Sequence, residues 1–262
     1  MSVIKIGIQD IKQSFSRYRM VLYFSLGDIK SKYKRSVLGP LWLVLGTMIS
    51  VVALGFIWSR LLNDDPIKLV PSLTVGLIVW QFLSGCIAES PSILYRNSHL
   101  IRNMPLPYFI FPMQLITRQF IYLIHNAIVI IAVVVYFDLP ITKNQLLIIP
   151  GLLLVIGNLT WIILLISILG AKYRDLEQIT ATTLPLFFFL SPVLYRIDQV
   201  KFAQEAIWLN PFSYFISLIR DPILNTTPPL FVYLTSVASF VVGSLIAIYY
   251  FGKYRQKIVF WL

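Results

Sequence analysis

Apolar residues in this chain fall into six long stretches: Leu41 to Leu62, Leu69 to Ala88, Pro107 to Phe137, Leu146 to Gly170, Ile179 to Tyr195 and Leu230 to Phe251. A helix rises 1.5 Å per residue, so about 20 residues cross the ~30 Å hydrocarbon core of a bilayer. The fifth stretch is short and carries Pro185 and Pro192, which reads either as a kinked span or as part of a re-entrant segment. Ahead of the first span the period changes. Ile11, Phe15, Tyr18, Leu22, Leu26, Ile29 and Tyr33 recur every three or four residues, with Lys12, Arg17, Arg19, Lys30, Lys32 and Lys34 off that stripe. One apolar face and one basic face predict an amphipathic helix lying in the membrane interface. Between the last two spans, residues 196–229 are largely apolar and aromatic, with Phe202, Trp208, Phe212 and Tyr214 among them, and Asn210-Pro211 breaks the run. Two short helices forming an outer re-entrant hairpin over about 199–227 are expected, a candidate gate. The predicted fold is all-α: a polytopic membrane protein with six transmembrane helices over 40–262, preceded by the interface segment 1–39.

Composition agrees with the pattern. Apolar residues are 58% of the chain and charged ones 13%, against about 45–50% and 25% in soluble domains. With the N-terminus in the cytoplasm, the inner side holds Lys5, Lys12, Arg17, Arg19, Lys30, Lys32, Lys34, Arg35, Arg96, Arg102, Lys172, Arg174, Lys253, Arg255 and Lys257, fifteen in all. The outer side holds six: Arg60, Lys68, Lys143, Arg196, Lys201 and Arg220. Excess Lys and Arg mark the cytoplasmic side, so both termini are expected inside and six spans are favoured over five. The fifteen inner cations face five acids, Asp10, Asp28, Glu89, Asp175 and Glu177, while the outer side balances. The overall charge of +11 therefore points to anionic headgroups and not to nucleic acid. No secretory signal peptide is evident, and with Cys86 as the sole cysteine no intrachain disulfide forms.

Three segments carry candidate chemistry. Gly39-Pro40 ends the interface helix and sets Pro40 in the first turn of the next span, with Trp42 at headgroup depth. The loop Glu89–Pro107 starts a helix at Ser90-Pro91 and is stiffened by Pro105 and Pro107. A short helix over Pro91–Leu100 would display Arg96 and His99 to a soluble partner, or serve as a plain connector. Residues 171–178 form a short loop of alternating charge. Arg118 and His125, seven apart on one face of the third span, are ionisable groups at membrane depth. They read either as functional, or as a snorkelling arginine and a histidine bonded across helices. No phosphate-cradling glycine loop or His-Glu-x-x-His occurs; Asp64-Asp65 reads as a polar turn, and the inner acids are scattered along the chain. No acid lies deep in a span, which weighs against proton-coupled transport. The aromatic fraction of 15%, including Phe187-Phe188-Phe189, would suit a ring-lined conduit for sugars, although belts and packing use aromatics too.

The run Leu26-Gly-Asp-Ile-Lys-Ser-Lys-Tyr-Lys-Arg-Ser-Val-Leu-Gly-Pro-Leu-Trp42 resembles ABC-2 type permeases that export O-antigen and related polysaccharides. Asn97-Ser-His-Leu-Ile-Arg-Asn-Met-Pro-Leu-Pro107, Tyr173-Arg-Asp-Leu176 and Leu209-Asn-Pro-Phe212 match in the same order. Ser191-Pro-Val-Leu-Tyr195 departs mildly, since relatives often have Thr-Pro-Val, an apolar residue and Trp. The resemblance implies a homodimeric transport subunit in the bacterial inner membrane. ATP and Mg²⁺ would sit on a separate ATPase, with no cofactor on this chain and a polyprenyl-linked glycan as substrate. It implies substrate access near Arg35, Leu38, Gly39 and Trp42. ATPase coupling would run through Pro91, Tyr95, Arg96, Asn97, His99 and Arg102. Channel or gate candidates are Arg118, His125, Phe187, Phe188, Tyr195, Trp208, Asn210 and Pro211. Rival readings are a permease of this fold for a drug, peptide or small lipid, a membrane transferase acting on polyprenyl phosphate, and a non-transporting scaffold.

Overall fold

The computed structural model describes residues 3–199 and 204–262; Lys201 and Phe202 lie outside them. The described residues form helices and no strands. In chain order they are α1 (Val3–Ser16), α2 (Tyr18–Tyr33), α3 (Leu41–Leu61), α4 (Pro66–Glu89), α5 (Ile93–Arg96), α6 (Ser98–Asn103), α7 (Ile110–Tyr136), α8 (Ile148–Lys172), α9 (Asp175–Leu190), α10 (Gln204–Trp208), α11 (Pro211–Ile223) and α12 (Leu230–Trp261). Five are long and apolar enough to cross a membrane: α3, α4, α7, α8 with the 3₁₀ turn before it, and α12. The protein is therefore a multi-pass membrane protein.

Several helix starts follow from local chemistry. Asp65 accepts a hydrogen bond from the Ile67 N–H at 2.9 Å and Pro66 opens α4, a capping residue followed by a proline with its φ already set. Asn210 and Pro211 repeat this device at α11, with a 3.0 Å bond from the Phe212 N–H. Asp175 and Glu177 occupy the first turn of α9, where the helix dipole favours negative charge. Gly39 turns the chain into α3 at φ +54, a left-handed conformation that strains side-chain-bearing residues.

Helix α4 is the centre of the bundle. Its apolar window is 78% buried, against 17 to 39% for the other four spans. It runs antiparallel to α3 and α7: Thr47 and Asn126 meet at Gln81, and Gln119 meets Glu89. Helices α8 and α12, in contrast, run parallel. Asn158 donates to the Ser236 carbonyl, Gly243 faces Trp161, and Lys172 lies by Trp261 at the far end. The chain between them must therefore travel back along the bundle. It does so along α4: Phe188 packs on Trp80, Val193 covers Gly76, and Arg196 pairs with Asp64 at 3.3 Å in the α3–α4 turn. Asn210 then returns to the depth of Ser191, bonded to its hydroxyl at 2.9 Å, and Asn225 comes back to the turn at Pro140 and Thr142.

Three expected elements differ. The helix expected over Ile11–Tyr33 begins at Val3 and breaks at Arg17, because α1 packs on α12 while α2 follows α7. Its protein-facing side buries Asp10, Ser14 and Ser25 beside Val21 and Ile29, whereas Phe15, Tyr18, Leu22 and Leu26 stay exposed. The Pro91–Leu100 helix is two short helices, parted at Asn97, whose side chain donates to the Ile93 carbonyl at 2.8 Å. Helix α12 continues ten residues past Phe251 to Trp261, carrying Lys253, Arg255 and Lys257 beyond the apolar run.

Candidate functional site

The end of the bundle holding α1, α2, α5 and α6 is its basic end, and it contains a polar cleft of about 390 Å³ between α2, α4, α5 and α7. Arg118 sits at its centre. One terminal nitrogen donates to Asp28 and the other to Glu89, each at 2.5 Å. Gln114 donates to Asp28 and Gln119 to Glu89, both at 2.8 Å. Arg96 of α5 reaches Glu89 at 3.7 Å and Glu177 of α9 at 3.1 Å. Four helices and α5 are thus tied by one chain of charge-assisted bonds, roughly twice as strong as neutral ones. Three of the inner acids scattered along the sequence, Asp28, Glu89 and Glu177, converge here in space, each against a cation. No periodicity announced Asp28 and Glu89 as partners of Arg118. The only signal was that an arginine inside a span needs a counter-charge.

Helices α5 and α6 project from this network. Pro91 is buried, and a Cβ at Gly170 would fall inside the van der Waals shell of the Pro91 carbonyl oxygen, so the segment is seated on α8 at a fixed distance. Tyr95, Arg96, His99 and Arg102 are exposed. Arg174 stacks 4.5 Å over the Tyr95 ring. Asn97, which the resemblance places among the coupling residues, spends its side-chain amide on the Ile93 carbonyl. The basic end is anchored a second time by Asp10, whose carboxylate is buried in the α1–α7–α12 junction. It accepts from the N–H groups of Tyr108 and Phe109 at 3.1 and 3.0 Å and from Arg255 at 2.6 Å. Arg255 also covers the Tyr108 ring at 4.5 Å, and burial raises that phenol above its ordinary pKa.

The turn with Arg35, Leu38 and Gly39 stands away from this network, its Gly39 N–H bonded to the Ser36 hydroxyl at 3.1 Å. Arg35, Leu38 and Trp42 are exposed. The Nδ1 of His125 lies 2.7 Å from the Ile121 carbonyl, a contact along its own helix. Deeper in the same seam Thr47, Gln81 and Asn126 form a polar triad at 2.9 to 3.2 Å.

Toward the opposite end, the expected aromatics form two groups. Phe187, Phe188, Trp80 and Phe212 stack with centroids 5.2 to 5.7 Å apart. Trp208 meets Tyr214 and Phe231 at 5.3 and 5.0 Å. Asn210 links α11 to Ser191, and buried Arg220 donates to the Pro192 carbonyl at 2.5 Å. Arg220, which the sequence placed only as an outer charge, therefore fastens the exit of α9 to α11. Tyr195 donates its hydroxyl to the Leu190 carbonyl at 3.2 Å.

The comparisons with known proteins agree with this architecture. The profile of the ABC-2 type transporter family matches residues 22–224. Two O-antigen export system permease proteins RfbA of Klebsiella pneumoniae are 26% and 25% identical, over 87% and 76% of this chain and 90% and 78% of the relatives. A protein of the same name from Myxococcus xanthus is 22% identical over 74% of this chain and 75% of its own length. A family match across more than three quarters of a polytopic all-helical bundle, from α2 to the end of α11, places the chain in the ABC-2 type transporter family.

Proposed function

We propose that this chain is the transmembrane subunit of an ATP-driven exporter that moves a lipid-linked, O-antigen-like polysaccharide across the bacterial inner membrane. The observation that carries the reading is its similarity, over most of both chains, to relatives named for O-antigen export. In this reading two copies of the chain form the conduit, and a separate ATPase holds ATP and Mg²⁺. The basic end faces the cytoplasm, as its excess of Lys and Arg favours. The sixth crossing is α9 with the segment up to Gln199, supported by the parallel course of α8 and α12. Helices α10 and α11 are the outer re-entrant hairpin, and the exposed apolar residues of α1 and α2 face acyl chains.

The ATPase docks on α5 and α6 and meets Tyr95, His99 and Arg102. Motion of these helices reaches α2, α4 and α7 through Arg96, Glu89, Arg118 and Asp28. The glycan gains access near Arg35, Leu38, Gly39 and Trp42 and passes the rings of Trp80 and Phe188, whose faces suit sugar C–H surfaces.

Deletion of the chain in its host tests the proposal. Loss of surface polysaccharide together with build-up of lipid-linked glycan inside supports export. Absence of the polymer in both places makes the chain part of synthesis, and an unchanged surface sends the reading to a smaller substrate.

A further inference from the structure

The basic end carries a second cleft, separate from the Arg118 network, between the last turns of α8 and the C-terminal half of α12. Its volume is about 390 Å³, and its lining changes along the helices. Leu165, Ile168, Leu169 and Ile246 form the part toward the middle of the bundle. Toward the helix ends the walls become aromatic: Tyr250 and Tyr254 stack at 6.1 Å and 19°, and Tyr254 meets Trp261 at 5.4 Å. Because α8 and α12 run parallel, both helices change character at the same depth.

The mouth is cationic. Lys172 Nζ lies 4.8 Å from the Tyr173 ring and 5.9 Å from that of Trp261, and Lys253 Nζ lies 5.5 Å from that of Tyr254. Lys257 is exposed three residues after Tyr254 and four before Trp261, on the same helical face. Among the described residues none of these three lysines takes part in an ion pair, whereas Arg96, Arg118 and Arg255 all do. Three cations with no acid opposite, phenol hydroxyls beside them and an apolar floor complement one amphiphile with an anionic head and a hydrocarbon tail.

We propose that this cleft binds an anionic phospholipid, its phosphate at Lys172, Lys253 and Lys257 and one acyl chain along Leu165, Ile168 and Ile246. Basic pockets between spans on the cytoplasmic side suit such headgroups, and each lysine near the surface contributes about 1 kcal/mol, a factor of roughly five in affinity. The assignment rests on the proposed topology, in which this end meets the inner leaflet. It does not depend on what is exported.

Tryptophan quenching tests it on the purified full chain in vesicles. The signal of Trp261 is the difference between the wild type and Trp261→Phe. One set of vesicles contains dibrominated phosphatidylglycerol in a phosphatidylcholine background, and the other contains the same fraction of dibrominated phosphatidylcholine. Both leaflets carry the probe, so the reading is independent of the direction of insertion.

Stronger quenching of Trp261 by the anionic lipid is expected. Lys172→Gln/Lys253→Gln/Lys257→Gln should remove the selectivity, with apparent affinity falling by well over tenfold. A melting curve checks its fold, and Lys172→Gln alone, at about fivefold, replaces it if the triple variant is misfolded. Equal quenching by both lipids, or selectivity that survives the lysine changes, overturns the proposal. Relief of quenching by stoichiometric polyprenyl phosphate, but not by excess unbrominated phosphatidylglycerol, assigns the cleft to the substrate lipid and also overturns it.

Discussion

Replacing Asp10 by Ala is expected to be among the most damaging single changes at the basic end. The Asp10 side chain is 1% exposed and pairs with Arg255, itself 27% exposed. The substitution removes the acceptor for two backbone N–H groups and the counter-charge of Arg255 together. Losing one partner of a buried ion pair costs about 3–5 kcal/mol, and each orphaned N–H about 1–3 kcal/mol. Because all three bonds end on one carboxylate, these figures overlap, and a total of about 4 kcal/mol is expected. At roughly 2–4 °C per kcal/mol for a chain of this size, the melting point should fall by on the order of 10 °C.

Arg255→Met keeps both N–H donors on Asp10 but leaves that buried carboxylate without its counter-charge, and should cost about 3 kcal/mol. Cys86, the sole cysteine and fully buried in α4, provides the assay. A fluorogenic maleimide reacts with it only as α4 opens, so heating the detergent-solubilised protein with the dye yields the transition. If Asp10→Ala shifts the transition no more than Arg102→Ala does at an exposed position, the three-way anchor does not hold the basic end, and the reasoning fails.

Arg118→Ala strands Asp28 and Glu89 and should cost about 3 kcal/mol; adding Asp28→Asn and Glu89→Gln should restore much of it in the same melt. Gly170→Leu drives a side chain into the Pro91 carbonyl, at about 1–3 kcal/mol or more for overpacking. It should also abolish co-purification of the ATPase while the protein stays in the membrane; retained assembly would refute seating of α5 on α8. Arg102→Glu, exposed and outside the observed ion pairs, should uncouple ATPase stimulation without lowering the melting point. Arg96→Glu should do both, because it also opposes Glu89 and Glu177, and intact stimulation in both variants would exclude the docking face. Asn210→Ala loses an α11 cap and the Ser191 bond, expected to cost about 1–2 kcal/mol.

Much of the architecture was legible because the bilayer imposes a length and a sidedness that linear patterns record. The five long helices coincide with apolar runs, and the caps at Asp65-Pro66 and Asn210-Pro211 are written in adjacent residues. The seating of Pro91 on Gly170 was not legible, because it depends on how closely α8 approaches α5. Nor was the break at Arg17: the apolar stripe continues through it, and only the divergence of α12 from α7 makes α1 and α2 part. The middle of the stripe, Phe15, Tyr18, Leu22 and Leu26, turns outward while Ile29 stays buried, and Asp10, Ser14 and Ser25 face the protein, since inside a bilayer the lipid is as apolar as any core and polar groups must bond to protein. Charge shows the same division. Sequence counting assigned Asp10, Asp28, Glu89 and Glu177 to one side, but not to Arg255, Arg118 and Arg96. Apart from Arg96 with Glu89, seven positions away, such pairings link residues 29 to 245 positions apart, and no local period encodes them. What the sequence by itself determined was which segments prefer lipid and which end is basic, because hydropathy and charge are properties of each residue. Which cation meets which acid, and which glycine admits which backbone, only the tertiary structure decided, because those are properties of distances between helices.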